Sequence, residues 1–166
     1  VRKSKNSMKS LIPRFNAQRM VMDYVRNYYS PARKQRLVMT SNQHTRAKEV
    51  ATWRRKLDHS WPKVRLRRLD EANTEILAGN ALTIRVAAYL DGLAADDVLV
   101  ECLVGREGEN GEFLRSDAHV FTHAGPGENG ETVFQLDLTP RLAGLQFYKI
   151  RIFPFHPCLS HRFETG

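Results

Sequence analysis

Two halves of unlike pattern predict an α+β chain, with a basic helical segment over residues 1–62 followed by an all-β immunoglobulin-like sandwich over 63–166. Three observations carry this. Charge divides near residue 69: residues 1–69 hold 19 Lys or Arg against three acids, while the remainder hold seven against 15, within a net charge of +8. Apolar positions recur at three and four residues as far as Trp61-Pro62, and at two residues from Lys63 onward, which is the change from helical to strand periodicity. Beyond that point turn signals recur at short intervals and no long helical pattern interrupts them, the sequence form of a sandwich of about seven short strands.

The helical half is read in order. A short basic helix runs to Ile12, and Pro13 ends it because the residue before a proline is pushed out of the helical region. Asn16 has the side chain of an N-cap, so a second helix is predicted over 17–29. Met20, Tyr24, Val25 and Tyr28 give it one apolar face that needs a partner. Asp23 stands four residues after Arg19 and three before Arg26, within reach of either guanidinium. Ser30-Pro31 reads as the start of a third helix. From Ala32 to Leu57 apolar residues are sparse and Ser41-Asn42 is a weak spot, so two helices or one bent helix are expected. Val50, Trp53 and Leu57 form the apolar stripe of its last part.

In the second half, Val64 and Leu66 alternate with Arg65 and Arg67 as a half-buried strand, and Arg68 continues the alternation. Residues 81–90 place Leu82, Ile84, Val86 and Ala88 on one face and Thr83, Arg85, Ala87 and Tyr89 on the other. An apolar run over 98–104 follows Asp96-Asp97, and 105–111 reads as a polar hairpin loop. Further strands are predicted at 113–114, 118–122, 132–138 and 147–153, separated by Gly125-Pro126-Gly127, Asn129-Gly130 and Ala143-Gly144. In the last strand Phe147, Lys149, Arg151 and Phe153 mix charge with aromatic rings on one face, while Tyr148, Ile150 and Ile152 are apolar on the other. That pattern suits a late strand of a sandwich.

No catalytic constellation stands out. His119 with His123, and His156 with Cys158 and His161, do not match the paired spacing of a zinc site, and surface or loop histidines are the simpler reading. Gly105, Gly108 and Gly111, and again Gly125, Gly127 and Gly130, lie between strands and not before a helix, so they read as turns and not as a phosphate cradle. Glu107, Glu109 and Glu112 share a flexible hairpin, which cannot raise a carboxyl pKa by burial as acid catalysis requires. Cys102 and Cys158 are too few for a disulfide framework, and a reducing, cytoplasmic setting is expected. No stretch approaches the roughly 18 consecutive apolar residues of a membrane helix, so a soluble protein without a membrane partner is expected.

The run SMKSLIPRFNAQRMVMDYVRNYYSPA adds what periodicity does not. It resembles the last helical segment of the catalytic body in bacterial α-glucan (glycogen or maltodextrin) phosphorylases, where a stretch like MKxLxPRFNxxRMVxEYxxxFYxPA follows the cofactor domain. The match falls on Met8, Lys9, Leu11, Pro13, Arg14, Phe15, Asn16, Arg19, Met20, Val21, Tyr24, Tyr28, Tyr29, Pro31 and Ala32. Weaker similarity continues to Trp61-Pro62 and returns at Pro154-Phe155-His156-Pro157 and Leu159. The resemblance implies a parent reaction in which phosphate cleaves the terminal α-1,4 bond of a glucan to give glucose 1-phosphate, with pyridoxal phosphate as cofactor. It implies docking, not catalysis, for Arg14, Phe15, Asn16, Arg19, Met20 and Tyr24. Ser7-Met8-Lys9 resembles the end of the cofactor motif EASGTSxMK but lacks its acidic, alanine and glycine positions, so the cofactor is expected in the parent enzyme only.

Val1 in place of an initiator methionine fits a segment of a longer polypeptide, and trimming would look the same. The expected partners are the remainder of a phosphorylase chain, a second copy through self-association, and α-glucan as a further candidate. Two other classes are weighed: a free-standing carbohydrate-binding sandwich, and a nucleic-acid-binding protein using the basic helices with Tyr24, Tyr28, Tyr29 and Trp53. The second is disfavoured because the tyrosines interleave with an apolar face that a packed helix needs.

Overall fold

The computed structural model describes residues 2–70, 79–140 and 144–165. Its helices are α1 (Arg2–Leu11), α2 (Ala17–Tyr24), a π-helical turn (Val25–Tyr29) and α3 (Ser30–Ser60). The strands are β1 (Arg65–Arg68), β2 (Leu82–Tyr89), β3 (Val98–Glu107), β4 (Phe113–Val120), β5 (Thr122–Pro126), β6 (Thr132–Leu138) and β7 (Phe147–Pro154). Two compact units result, Val1–Ala51 and Thr52–Gly166.

In the first unit the expected break before Ser30-Pro31 is absent. Pro31 has no amide hydrogen and its ring crowds the carbonyl four residues earlier; the wider turn before it, in which the Ser30 amide donates to the Val25 carbonyl, accommodates the ring without leaving helical geometry. The weak spot at Ser41-Asn42 does interrupt α3. Ser41 is extended, and Asn42, Gln43 and His44 have φ of 47°, 56° and 63°, one left-handed turn that L-residues adopt at a cost of roughly 1–2 kcal/mol each. Hydroxyls flank it: Thr40 Oγ1 donates to the Arg36 carbonyl at 2.9 Å and Ser41 Oγ to that of Val38 at 2.8 Å. Among the described residues none from Arg2 to Val50 is buried.

The second unit has a core of its own. One antiparallel sheet has the order β1-β2-β6-β5 and the other β4-β3-β7. Strand periodicity explains which side chains go inside: Ile84, Val86 and Ala88 of β2 and Val100 and Cys102 of β3 are each no more than 1 % exposed. Phe134 of β6 and Phe121 between β4 and β5 join the same cluster. Full burial of such aliphatic and aromatic side chains contributes about 1.5–3 kcal/mol each. The residues expected to close the helical segment also take part, since Trp53 and Leu57 enter the cluster and Ser60 Oγ donates to the Asp91 carbonyl at 2.8 Å. Lys56 meets Asp97 at 3.2 Å and Lys63 meets Asp91 at 2.8 Å. The hydrogen bond from Lys63 holds the Asp91 carboxyl below its usual range and raises the Lys63 ammonium in return.

Three strand expectations are corrected. Residues 113–114 and 118–122 are not separate strands: β4 runs from Phe113 to Val120 in one piece, paired with β3 across a register shift at Val104/Gly105. Gly105 is not loop but strand, and a Cβ there would collide with the Leu114 carbonyl and the Phe113 ring, so glycine is required by the close approach of β4. Gly125-Pro126 lies in β5 past an irregularity at His123/Gly125; proline is tolerated because β5 is an edge strand. The expected turn at Ala143 lies outside the described residues.

Ile84 has no exposed surface while Arg85, on the opposite face, is exposed. Ile84→Ala is therefore expected to cost about 2–5 kcal/mol and Arg85→Ala to be nearly neutral. Urea titration of the two variants checks this, and the reverse order would show that the register is wrong.

Candidate functional site

Of the residues carrying the phosphorylase-like run, Asn16 does most to shape the local structure. It sits in extended geometry, φ −93° and ψ 154°, and its Oδ1 accepts from the Arg19 amide at 2.7 Å, satisfying a donor that the first helical turn cannot. Its Nδ2 donates backwards to the Ile12 carbonyl at 2.9 Å and that of Pro13 at 3.1 Å. One side chain thus closes α1 and opens α2. Arg19 holds Asp23 at 2.6 Å, one turn on.

The π turn changes which rings meet. Tyr24 packs edge-on against Tyr28 at 5.9 Å and also against Tyr29 at 6.5 Å, since the wider turn brings the fifth residue within reach. Phe15 is 72 % exposed, Tyr28 63 % and Tyr29 64 %. Met20 and Tyr24 are also exposed, as is Arg14. The motif therefore presents rings and a thioether to solvent on a helix that is capped at its start but has no core beneath it.

A second cluster was not read from the sequence. Glu101 stands on the central strand of the β4-β3-β7 sheet, on the face opposite Val100 and Cys102, and is 1 % exposed. Its register partner on β7 is Arg151. Arg151 donates through Nε at 2.8 Å and Nη2 at 2.5 Å to Oε2, and Arg162, from the segment after β7, donates to Oε1 at 2.7 Å. Phe163 follows, with its ring 5.4 Å from that of Phe153 and the Arg151 guanidinium 5.1 Å from its centroid. Along the same strand Lys149 lies 4.8 Å from the Phe113 ring. The mixed face of β7 is visible in the sequence; its partner is not, because Glu101 is a lone charge within the apolar run 98–104. The available signal was its phase, opposite to the buried positions. A buried carboxylate held by two guanidiniums fixes the chain after β7 on the sheet.

The other singled-out groups have structural settings. His119 Nε2 lies 3.3 Å from Asp117, His156 Nδ1 accepts from the Cys158 amide at 3.1 Å, and His161 Nδ1 from the Phe163 amide at 3.2 Å. Glu112 accepts from the Asn110 amide within its hairpin at 3.1 Å, while Glu107 and Glu109 are exposed. Among the described residues no three metal-ligating side chains converge, and no helix is long and apolar enough to cross a membrane. Cys102 and Cys158 are both buried, and burial pushes the Cys102 thiol up to about 11.

Comparison with known proteins places this architecture. The sequence model of the glycogen phosphorylase C-terminal domain matches residues 61–166, and the chain belongs to that family. It is similar to glycogen phosphorylase of Mycobacterium bovis and of Mycobacterium tuberculosis, at 33 % identity over 166 residues in each case. It is also similar to maltodextrin phosphorylase of Thermococcus litoralis, at 28 % over 165 residues. Each match covers 98 % of this chain and 19 % of the relative, so the chain spans about a fifth of their length. No solved structure gives a significant match. A free-standing carbohydrate-binding module and a nucleic-acid-binding protein are not favoured by these findings.

Two outcomes follow from this geometry. Asn16→Ala removes the cap and is expected to cost about 0.5–2 kcal/mol of local helix stability, visible as lost far-UV ellipticity at unchanged stability of the β unit. Arg151→Ala and Arg162→Ala are each expected to cost about 1–2 kcal/mol, because each guanidinium is partly exposed while the carboxylate it meets is 1 % exposed and keeps the other guanidinium. The double variant leaves a buried carboxylate uncompensated and is expected to cost about 3–5 kcal/mol. Urea midpoints of the full cycle measure the coupling; additive losses would show that the two guanidiniums act independently.

Proposed function

We propose that the chain serves a longer α-glucan phosphorylase as its non-catalytic C-terminal part. In this reading the enzyme cleaves α-1,4-glucan with phosphate to give glucose 1-phosphate. The arm built on Arg14, Phe15, Asn16, Arg19, Met20 and Tyr24 docks on the catalytic body, and the β unit is an accessory module. The observation that carries it is the match over nearly all of this chain and 19 % of each relative, joined to an arm that exposes Phe15, Tyr28 and Tyr29 and buries nothing. Large apolar side chains exposed together on one segment mark an interaction surface, and in this proposal the catalytic body of the enzyme covers them.

The β unit is an immunoglobulin-like sandwich in this proposal. The order β1-β2-β6-β5 corresponds to strands A, B, E and D of that fold, and β3 and β7 to C and F, with β4 beside C. Pyridoxal phosphate belongs to the catalytic body. Lys9 stands exposed on α1, a helix that buries no residue, a setting that offers the group no enclosure. The setting is cytoplasmic in this proposal, in keeping with a sequence that holds only two cysteines.

An arm made for docking is expected to find a substitute when the body is absent. The chain alone should self-associate through its helices, and the association should persist at high salt. Tyr24→Glu should weaken it more than joint neutralisation of Arg33 and Lys34. Sedimentation velocity across a salt series tests this. A strictly monomeric chain that binds RNA or DNA at low salt, and loses it when Arg33 and Lys34 are neutralised, would replace docking with nucleic-acid binding.

A further inference from the structure

The face of the β4-β3-β7 sheet that carries Glu101 is more basic than the anchoring of one carboxylate requires. A hollow of about 470 Å³ opens there, lined by Glu101, Arg115, Asp117, Arg151, Arg162 and Phe163. Its volume falls within the roughly 300–1,000 Å³ of small-molecule sites. Three guanidiniums border it. Against them stand two acids, Glu101, which lies beneath the arginines at 1 % exposure, and Asp117, whose carboxylate accepts from the Ala118 amide at 2.9 Å, so three cations face two anions. Positive charge is therefore in excess at the opening.

We propose that Arg115, Arg151 and Arg162 form a binding site for the phosphoryl group of a small molecule. Each guanidinium carries five N–H donors in a rigid fork. Glu101 takes two from Arg151 and one from Arg162, which tethers both groups at the hollow they line and leaves each with further N–H donors. Arg115 is exposed on β4, where its backbone pairs with Gly105 of β3, and among the described residues its guanidinium is in none of the side-chain ion pairs of this sheet face, which join Arg151 and Arg162 to Glu101. Arg115 supplies the third cation, and the two tethered groups supply donors that are partly ordered before a ligand arrives. Arginine forks match the tetrahedral oxygens of phosphate and form charge-assisted bonds with them. A neutral ligand would not use the excess charge, and a cation would be repelled by it. Phe163, 48 % exposed at the rim, offers a ring against which the carrier of the phosphoryl group can rest. The site is independent of the docking surface on residues 14–29, so either proposal can fail alone.

The test uses the whole 166-residue chain, with inorganic phosphate, glucose 1-phosphate and maltoheptaose as probes and sodium chloride at matched ionic strength as reference. Binding only to the folded state raises the melting temperature with ligand concentration. Phosphate or glucose 1-phosphate should raise it beyond the chloride reference; a response to both assigns the site to free phosphate, and one confined to glucose 1-phosphate assigns it to a phosphate ester. Arg115→Ala should weaken the apparent affinity about tenfold, as loss of one charge-assisted partner implies. Arg85→Ala, on the other sheet, should leave it unchanged. Since Arg115 is exposed, its variant is expected to fold, and shifts of the arginine Nε–H signals under phosphate titration give a second readout. A response equalled by chloride, retained in Arg115→Ala, or given only by maltoheptaose would overturn the proposal.

Discussion

Removal from water of one alternating face of β2 and one of β3 is the constraint on which the rest of the β unit depends. Ile84, Val86 and Ala88 meet Val100 and Cys102 in a single cluster, and this fixes which residues must point outward. Glu101 and Leu103 face away from the core because Val100 and Cys102 cannot. Trp53 and Leu57 close one side of the same cluster, so the last turns of α3 fold with the sheets although their sequence is helical. Gly105 follows from the same packing, since the register that buries β3 brings β4 too close for any side chain there.

Residues 2–50 obey a different rule. They bury nothing, so their helices rest on local devices: the double use of the Asn16 amide, the Arg19–Asp23 pair, and a π turn that accommodates Pro31. Such devices contribute from a few tenths of a kcal/mol for the ion pair to about 2 kcal/mol at most for the cap, while isolated helices of this length are marginal in water. The apolar residues they display contribute to stability only once a partner covers them. That physical incompleteness is the basis for reading the arm as part of a larger phosphorylase.

Charge is distributed to match. In the β unit, cations near the sheets are paired across the fold, as in Arg67 with Glu131 at 2.5 Å and Lys63 with Asp91, and these exposed pairs orient surfaces more than they stabilise them. Glu101 is the exception because its carboxylate is buried. Its two arginines serve the sheet and the chain after β7 together, and they leave an oriented, electropositive hollow beside Arg115.

The sequence by itself determined the two-part character of this protein, the cap at Asn16, the interruption at Ser41-Asn42, the inward face of β2 and the family. These are local or ordered signals: a cap needs only its own turn, a periodicity of two needs only its own strand, and the run around Arg14 to Tyr24 is distinctive residue by residue. Only the tertiary structure decided that 113–120 is one strand, that Gly105 and Gly125-Pro126 are ladder and not turn, that Trp53 and Leu57 belong to the β core, and that Glu101 meets Arg151 and Arg162. Each depends on which strands lie side by side. Residues 50 and 61 positions apart, as Arg151 and Arg162 are from Glu101, carry no periodic mark of their partnership, because the register that joins them is set by burial on the opposite face of the sheet.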